Sequence, residues 1–165
     1  MSDNMTTNCA LPLLMPAQEQ KQVTVNEALV RLDGQVDLVL QSLTRTLPPE
    51  TVVDGMCWAV PQDAVNAWEG QGGKIAIAAN GGWVFVQPRF GRRAIIADQG
   101  VSAIHDGSVW VAGAVTLGQH GSGMIARQLS EDVALGSGGW FQTSMAIPAG
   151  ALVLGATARV LEAII

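Results

Sequence analysis

Residues 11–43 read LPLLMPAQEQKQVTVNEALVRLDGQVDLVLQSL, and the rest of the chain is organised around this stretch. Its second half places apolar residues at alternating intervals of four and three positions. These residues are Val25, Leu29, Leu32, Val36, Val39 and Leu43. Such spacing is typical of the seam of a coiled coil. Thr24 and Glu27 stand at capping-box spacing and Pro48-Pro49 prevents continuation, so the sequence predicts one long amphipathic helix within residues 23–47.

The predicted seam needs a partner, because a lone helix of this length is only marginally stable in water. One possibility is that the seam packs on the chain's own β domain. The other is that it associates with the seam of another copy and makes the protein a homo-oligomer. Gly34 inside the predicted helix costs about 1 kcal/mol relative to alanine, which is acceptable where another element packs closely.

The segment before the helix, residues 1–22, lacks periodicity and contains an uncharged, proline-flanked apolar run. The run consists of Leu11, Pro12, Leu13, Leu14, Met15 and Pro16. Proline pre-orders an extended peptide and lowers the entropic cost of docking it in an apolar groove. The segment is therefore either an anchor peptide that docks on another subunit or a strap along the protein's own surface.

After Pro49 the apolar pattern changes to period two, which indicates β-strands. Asn80-Gly81 and Asp106-Gly107 supply the positive φ angles of tight turns, so each predicts a hairpin. Residues 48–113 are thus expected to form a β-hairpin module. Residues 114–165 are expected to form a glycine-rich linker and the first strands of a further β domain, with strands at 140–147, 152–154 and 157–165. The predicted fold class is mainly β with one long N-terminal α-helix that can form a coiled coil.

Composition narrows the range of partners. The chain has 165 residues, of which 48% are hydrophobic and 14% charged, and its formal net charge is −5. Nucleic-acid binding requires clustered Lys and Arg, so this balance argues against it. Cys9 and Cys57 are the only cysteines, which does not suggest a disulfide framework and fits assembly in a reducing cytoplasm. No stretch of the sequence is long and apolar enough to suggest a membrane span or a signal peptide.

Catalytic chemistry is not suggested by any residue pattern. His105, Asp106 and Ser108 have the residue types of a catalytic triad, but neighbours in one turn do not adopt its geometry. We therefore predict that His105 is a solvated turn residue, and His120 in its glycine-rich loop likewise. Neither cysteine has another ligand at metal-binding spacing. The sequence predicts a protein without enzymatic activity, metal or cofactor.

Tryptophan is the remaining signal, because five are present in a chain without tyrosine. They are Trp58, Trp68, Trp83, Trp110 and Trp140. An indole ring fills the core of a thin β module efficiently, and it also stacks on sugar rings. We predict packing for all five, because tryptophans that follow turn glycines in a repeated pattern suit packing between modules better than a receptor groove. Trp83 and Trp110 are the candidate glycan contacts.

The sequence resembles a known family over most of its length. Residues 11–33 carry the pattern L-P-x-L followed by A-Q-x-Q-K-x-V-T-x-N-E-A-L-x-R-L-D. This resembles the start of a family of unknown-function proteins from alphaproteobacterial prophages and gene transfer agents. Further elements of that family follow in order, at residues 54–55, 58–61, 67–70, 81–91, 106–110 and 144–160. Residues 92–95 depart from it, with Arg-Arg-Ala-Ile where relatives carry Trp-x-Ala-Trp.

The resemblance implies a structural role in a phage-like particle, since members in gene transfer agents are head spikes. The protein is then expected on the particle surface after assembly in the bacterial cytoplasm, with its N-terminal region anchored to a capsid vertex or spike-base protein. We expect a trimer, with a pentamer as the alternative. Capsular polysaccharide is expected to bind through residues beyond Ile165, because residues 144–160 resemble the opening of a larger β domain. The alternatives are a carbohydrate-binding module and the N-terminal part of a tail fibre or polysaccharide-degrading spike.

Overall fold

The computed structural model describes residues 4–15, 21–118, 122–134, 144 and 147–159. Within these ranges the chain forms one α-helix, one short 3₁₀ helix and nine β-strands in two sheets. The elements are α1 (Lys21–Asp33), β1 (Val39–Leu40), β2 (Cys57–Ala59), the 3₁₀ helix (Asn66–Trp68), β3 (Ile75–Ala79), β4 (Gly82–Val86), β5 (Arg93–Ile96), β6 (Val101–His105), β7 (Trp110–Ala112), β8 (Ala114–Leu117) and β9 (Gly123–Ile125). The prediction of a mainly β chain is therefore right.

The prediction of a long N-terminal helix is wrong. Helix α1 has 13 residues and ends at Asp33. Val36 then lies in a turn and Val39 in strand β1, so the predicted seam is divided between three kinds of structure. Four residues after the end of the helix, Asp37 has a left-handed backbone conformation with a φ of +46°. After that point Leu38 and Leu40 alternate into the core, because pairing with two neighbouring strands outweighs helix propensity.

Strand β1 holds the larger sheet together. The strand order is β4-β3-β2-β1-β5-β6-β7. Leu40 of β1 pairs in parallel with Cys57 of β2 on one side and with Ile96 of β5 on the other. The remaining neighbours are antiparallel. The two predicted hairpins are present, as β3–β4 around Asn80-Gly81 and as β6–β7 around Asp106-Gly107.

The main core lies along the larger sheet. All seven strands contribute side chains to this core or pack against it. Buried members include Leu40, Cys57, Ile77, Ile96 and Ala103. A second core lies on the other face of strands β2–β4, because alternate side chains of a strand point to opposite faces. The 3₁₀ helix covers it with the fully buried Trp68.

Strands β8 and β9 form a separate two-stranded antiparallel sheet within the predicted linker. Gly113 allows the chain to turn directly from β7 into β8. Its φ is +78°, and a Cβ there would lie 2.5 Å from the carbonyl oxygen of Ala126. The glycine-rich composition of this stretch thus predicts a linker, in which only residues 124–129 suggested a short strand, whereas the structure has a regular two-stranded sheet.

Residues 128–165 form a second unit of the chain. In this unit the backbone N–H and hydroxyl of Ser144 donate to the carboxylate of Glu131. The described stretch 147–159 contains no strand, so the strand predicted at 152–154 is wrong. Leu152 and Leu154 are 84% and 90% exposed, and a strand without a partner has no ladder of hydrogen bonds to hold it. Of the other two predicted strands, residues 140–143, 145–146 and 160–165 lie outside the described residues.

Candidate anchoring site at the N-terminus

The N-terminal segment folds back on itself as a small hairpin. The Thr6 N–H donates to the Leu11 carbonyl at 2.9 Å, and the Leu13 N–H donates to the Asn4 carbonyl at 2.8 Å. Met5 and Pro12 form an isolated antiparallel bridge between them. The predicted anchor peptide is therefore an ordered element in its described part, up to Met15. Pro16 lies outside the described residues.

Asp33 holds the loop of this hairpin. Only 2% of Asp33 is exposed, and it accepts three hydrogen bonds from the loop. The Thr6 hydroxyl donates to Oδ1 at 2.6 Å, the Cys9 N–H donates to Oδ1 at 2.7 Å, and the Asn8 N–H donates to Oδ2 at 3.0 Å. A carboxylate at the C-terminal end of a helix is disfavoured by the helix dipole, so these donors are what make the position tolerable.

Two further groups tie the loop to its surroundings. The buried Thr6 hydroxyl also accepts from the Leu11 N–H at 2.9 Å, so one hydroxyl connects both arms of the hairpin to Asp33. The Asn8 side-chain amide donates to the carbonyls of Asp33 at 3.3 Å and Gly55 at 3.1 Å. The loop is thus attached both to the end of α1 and to the segment that enters β2.

Asn26 fixes the segment at a second point. Its Oδ1 accepts from the Leu14 N–H at 2.9 Å, and its Nδ2 donates to the Leu14 carbonyl at 3.1 Å. Asn26 and Asp33 are seven residues apart, which places them on one face of α1. We call Thr6, Asn26 and Asp33 the clasp. Apart from the bond between Thr6 and Asp33, these three side chains bind backbone atoms of the segment.

Burial by itself raises the pKa of Asp33, but the hydrogen bonds from Thr6, Asn8 and Cys9 outweigh this effect. The pKa of Asp33 therefore lies below its ordinary value. The carboxylate form, which accepts from all three donors, is the form that the folded protein favours.

The clasp leaves apolar side chains facing solvent. Met5, Leu14 and Met15 are 53%, 50% and 58% exposed, whereas Leu11 and Leu13 are half-buried. No residue from Asn4 to Met15 carries a charged side chain. We call Met5, Leu14 and Met15 the apolar anchor residues. All three are exposed on a backbone that the hairpin and the clasp hold in place.

A family described as "Protein of unknown function (DUF2793)" matches residues 25–111, more than half of the chain. This chain belongs to the DUF2793 family. The match includes Asn26 and Asp33 and ends within strand β7. Comparison with curated proteins gives no match.

In this DUF2793 chain the predicted oligomer seam is not brought together as one helical stripe. Val25 and Leu32 are exposed on α1, and Val36 is exposed in the turn that follows. Val39 is exposed on β1, while Leu43 packs against the main core. A groove of about 400 Å³ runs beside the clasp, between the loop that carries Cys9 and the positions of Val36 and Val39.

Both cysteines of the DUF2793 chain line this groove. Cys9 is exposed, whereas Cys57 is buried and its thiol donates to the carbonyls of Gly34 at 3.3 Å and Gly55 at 3.4 Å. Burial, assisted by the charge of Asp33, raises the pKa of Cys57 to about 12. The Cys57 thiol is therefore protonated at neutral pH and serves packing rather than chemistry.

The four tryptophans within residues 48–113 pack their rings against other aromatic side chains. Trp58, Trp68 and Trp83 form a cluster in which the Trp68 and Trp83 ring centroids lie 5.0 Å apart in a T-shaped pair. Trp110 makes a similar pair with His105 at 5.1 Å. Trp83 and Trp110, the candidate glycan contacts, are both half-buried. Trp140 lies outside the described residues, and so does His120.

The prediction that His105 is solvated is wrong, because only 1% of it is exposed. Its Nδ1 accepts from the Gly107 N–H at 3.1 Å, so the proton of the neutral ring is on Nε2. Burial lowers the pKa of His105, although the charge of Asp106 acts in the opposite direction. Sequence reasoning missed this position because the residue ends a strand and points into the core before the turn begins.

The His105 turn does not form a catalytic triad. Asp106 Oδ1 accepts from the backbone N–H groups of Ser108 and Val109, both at 2.7 Å, and so caps the turn. A cleft of about 220 Å³ lies beside the turn, lined mainly by apolar side chains such as Leu43 and Val109. In the described ranges, no three His, Cys, Asp or Glu side chains are grouped closely enough to hold a metal ion. No helix in the same ranges is long and apolar enough to cross a membrane.

Proposed function

We propose that this DUF2793 protein is a structural, non-enzymatic component of a phage-like particle. In this proposal it is a head spike, attached to a capsid vertex or spike-base protein by its N-terminal segment. The observation that carries the proposal is the arrangement of residues 4–15. Their backbone is held on α1 by the clasp, while the apolar anchor residues remain exposed on an uncharged segment.

The sequence supports the same role. Residues 11–33 carry the run that resembles the start of an unknown-function family whose members in gene transfer agents are head spikes. This run overlaps the start of the DUF2793 match at residue 25. The clasp residues Asn26 and Asp33 both belong to the run. The part of the chain that suggests a particle protein is therefore also the part that presents the exposed segment.

A non-catalytic role is supported by how the polar residues are used. Asp33 and Asp106 both have a lowered pKa. Their carboxylates accept hydrogen bonds from neighbouring backbone N–H groups and, at Asp33, from a hydroxyl group. The proposal assigns the contact with capsular polysaccharide to a region other than the two sheets. The reason is that Trp83 and Trp110 engage their rings in packing against other side chains.

Homo-oligomerisation is part of the proposal, as a trimer or a pentamer. Its support is that Val25, Leu32, Val36 and Val39 stay exposed in the folded chain, where the predicted coiled coil does not form. Sedimentation equilibrium of the purified protein measures the mass directly. A monomeric mass at the protein concentrations reached during particle assembly would contradict the proposed homo-oligomer.

Aspartate substitutions at the anchor test the proposed attachment. Leu14→Asp together with Met15→Asp places charge on two exposed side chains without disturbing the core. We expect the double variant to be folded but absent from purified particles, because a charge is costly to bury in an apolar groove. The control is Val65→Asp, which adds one charge at an exposed apolar side chain outside the segment, where aspartate suits the start of the 3₁₀ helix. Equal amounts of the double variant and the wild type in particles would contradict the proposal.

A further inference from the structure

We propose that Thr6, Asn26 and Asp33 are positioning residues that fix the anchor in its docking conformation before any partner is bound. This inference rests on the proposed anchoring function. It adds that the partner binds the side chains of the segment in an apolar groove of its own. The partner does not pair with the backbone of the segment as an added β-strand. The evidence is the direction of the hydrogen bonds around Leu14 and around the loop of the hairpin.

The backbone of Leu14 is already occupied. Both its N–H and its carbonyl are bonded to the side-chain amide of Asn26. Peptides that dock by strand addition use these same main-chain groups to pair with the partner. At Leu14 they are not free, so recognition falls to the side chains, of which Leu14 and Met15 are about half exposed.

The chemistry of the segment defines the kind of partner. Residues 4–15 have no charged side chain, and the exposed large ones are aliphatic or thioether groups. A concave apolar surface on a different protein of the particle matches them, and its binding should depend little on salt because no ion pair is involved. Methionine adapts its shape to irregular apolar surfaces, which suits Met5 and Met15 to such a groove.

The clasp should raise the affinity of the segment for its partner, because it orders the backbone of the segment before docking. A free peptide of this length loses backbone entropy when it docks, whereas a segment held by its own protein has lost that entropy on folding. Thr6 is central, because its hydroxyl donates to Asp33 and accepts from the Leu11 N–H at the same time. Removing that hydroxyl takes a donor from Asp33 and an acceptor from the Leu11 N–H.

The chain offers a matched pair of variants at Thr6. Thr6→Val keeps the shape of the side chain and removes the hydroxyl, whereas Thr6→Ser keeps the hydroxyl. Asn26→Asp tests the clasp at a second point, where the hydrogen bonds are exposed to solvent. It retains the acceptor for the Leu14 N–H and loses the donor to the Leu14 carbonyl. All three are introduced in the full chain.

Two measurements are made on each variant. Hydrogen exchange reports whether the amides of Asn8, Cys9 and Leu11 remain protected, with the amides of β3 as the measure of an intact sheet. Co-sedimentation with particles from a strain that lacks the protein reports docking. We expect Thr6→Val and Asn26→Asp to bind particles about tenfold more weakly or worse, and Thr6→Ser to bind like the wild type, since freeing even one or two residues has an effect of that order.

The outcomes separate this inference from the proposed function. If Thr6→Val frees the loop amides and still docks like the wild type, the positioning role is wrong while the anchor stands. If the Leu11 amide, which loses its acceptor in Thr6→Val, stays as protected as in the wild type, the positioning role of the Thr6 hydroxyl is wrong. If Leu14→Asp with Met15→Asp docks like the wild type, the proposed anchoring function fails. Should Thr6→Val also expose the β3 amides, Asn26→Asp decides, and unchanged docking of that variant overturns the inference.

Discussion

Gly34 and Ile77 approach so closely that a Cβ atom on Gly34 would lie 2.8 Å from Cγ2 of Ile77. The same Cβ would lie 3.3 Å from Sγ of Cys57. Ile77 and Cys57 are both buried in the main core and cannot move aside without disturbing it. The close packing that makes a glycine acceptable at position 34 is therefore present, although the contact is made just after the helix and not within it.

Gly34→Ala should therefore destabilise the protein. The added methyl group overpacks a full core, which costs about 1–3 kcal/mol of unfolding free energy. Urea denaturation of the purified chain measures the loss. Gly82→Ala is the control, because a Cβ there would meet only the Ala79 carbonyl oxygen at 3.8 Å. Equal stability of Gly34→Ala and the wild type would contradict this close packing.

The Asp33 clasp should weaken in acid. The pKa of Asp33 is lowered in the folded state, so its contribution to stability is complete above the ordinary aspartate pKa of about 4. That contribution is lost as the pH falls below this value and through the lower folded pKa. The thermal stability of the wild type should exceed that of Asp33→Asn at neutral pH, and the difference should shrink below about pH 4. A difference that stays constant down to about pH 2 would exclude this linkage.

His105 should make the fold sensitive to mild acid. Because burial lowers its pKa in the folded state, the neutral ring is favoured there, and protonation favours unfolding. Its contribution is complete above the ordinary histidine pKa of about 6.5 and decreases as the pH falls below that value. His105→Asn retains an acceptor for the Gly107 N–H and does not titrate. Urea denaturation at about pH 7.5 and about pH 5.5 should show a smaller pH effect in the variant, and an equal effect would refute the assignment.

The two thiols should differ in reactivity. Cys9 is exposed, while Cys57 is buried with a pKa raised to about 12. A thiol-specific reagent at about pH 8 should modify one cysteine rapidly in the folded chain and the second only after denaturation. Cys9→Ala should abolish the rapid reaction. Rapid modification of that variant would show that Cys57 is accessible.

Local signals predicted the hairpins, since Asn80-Gly81 and Asp106-Gly107 specify turns whose strands are their immediate neighbours in sequence. The end of the helix was not predictable in the same way. The spacing of Val36, Val39 and Leu43 suits a helix, but the observed structure depends on β5, which is distant in sequence. Parallel pairing of β1 on both sides leaves no turn signal near β1 itself.

The clasp could have been found only in part. Its bonds join α1 to residues 12 to 27 positions away, and no periodicity encodes such contacts. Asp33 closes α1 at the end where the dipole disfavours a carboxylate, but the predicted helix continued past Asp33, so this signal became readable only once the end of α1 was known. A residue in that position needs compensating donors, which points to a partner outside the helix. The identity of the partner required the folded chain.

The central position of β1 has a consequence for how the chain folds. Strands β2–β4 form one antiparallel meander and β5–β7 another, and each is continuous in sequence, so each can form from local contacts. Leu40 is synthesised before both, yet its place between Cys57 and Ile96 exists only after β5 has been made. We therefore expect the two half-sheets to be joined after each has formed, by a strand that was the first to leave the ribosome. Non-local parallel pairing is slow, so we expect the joining of the half-sheets to be a late step of folding.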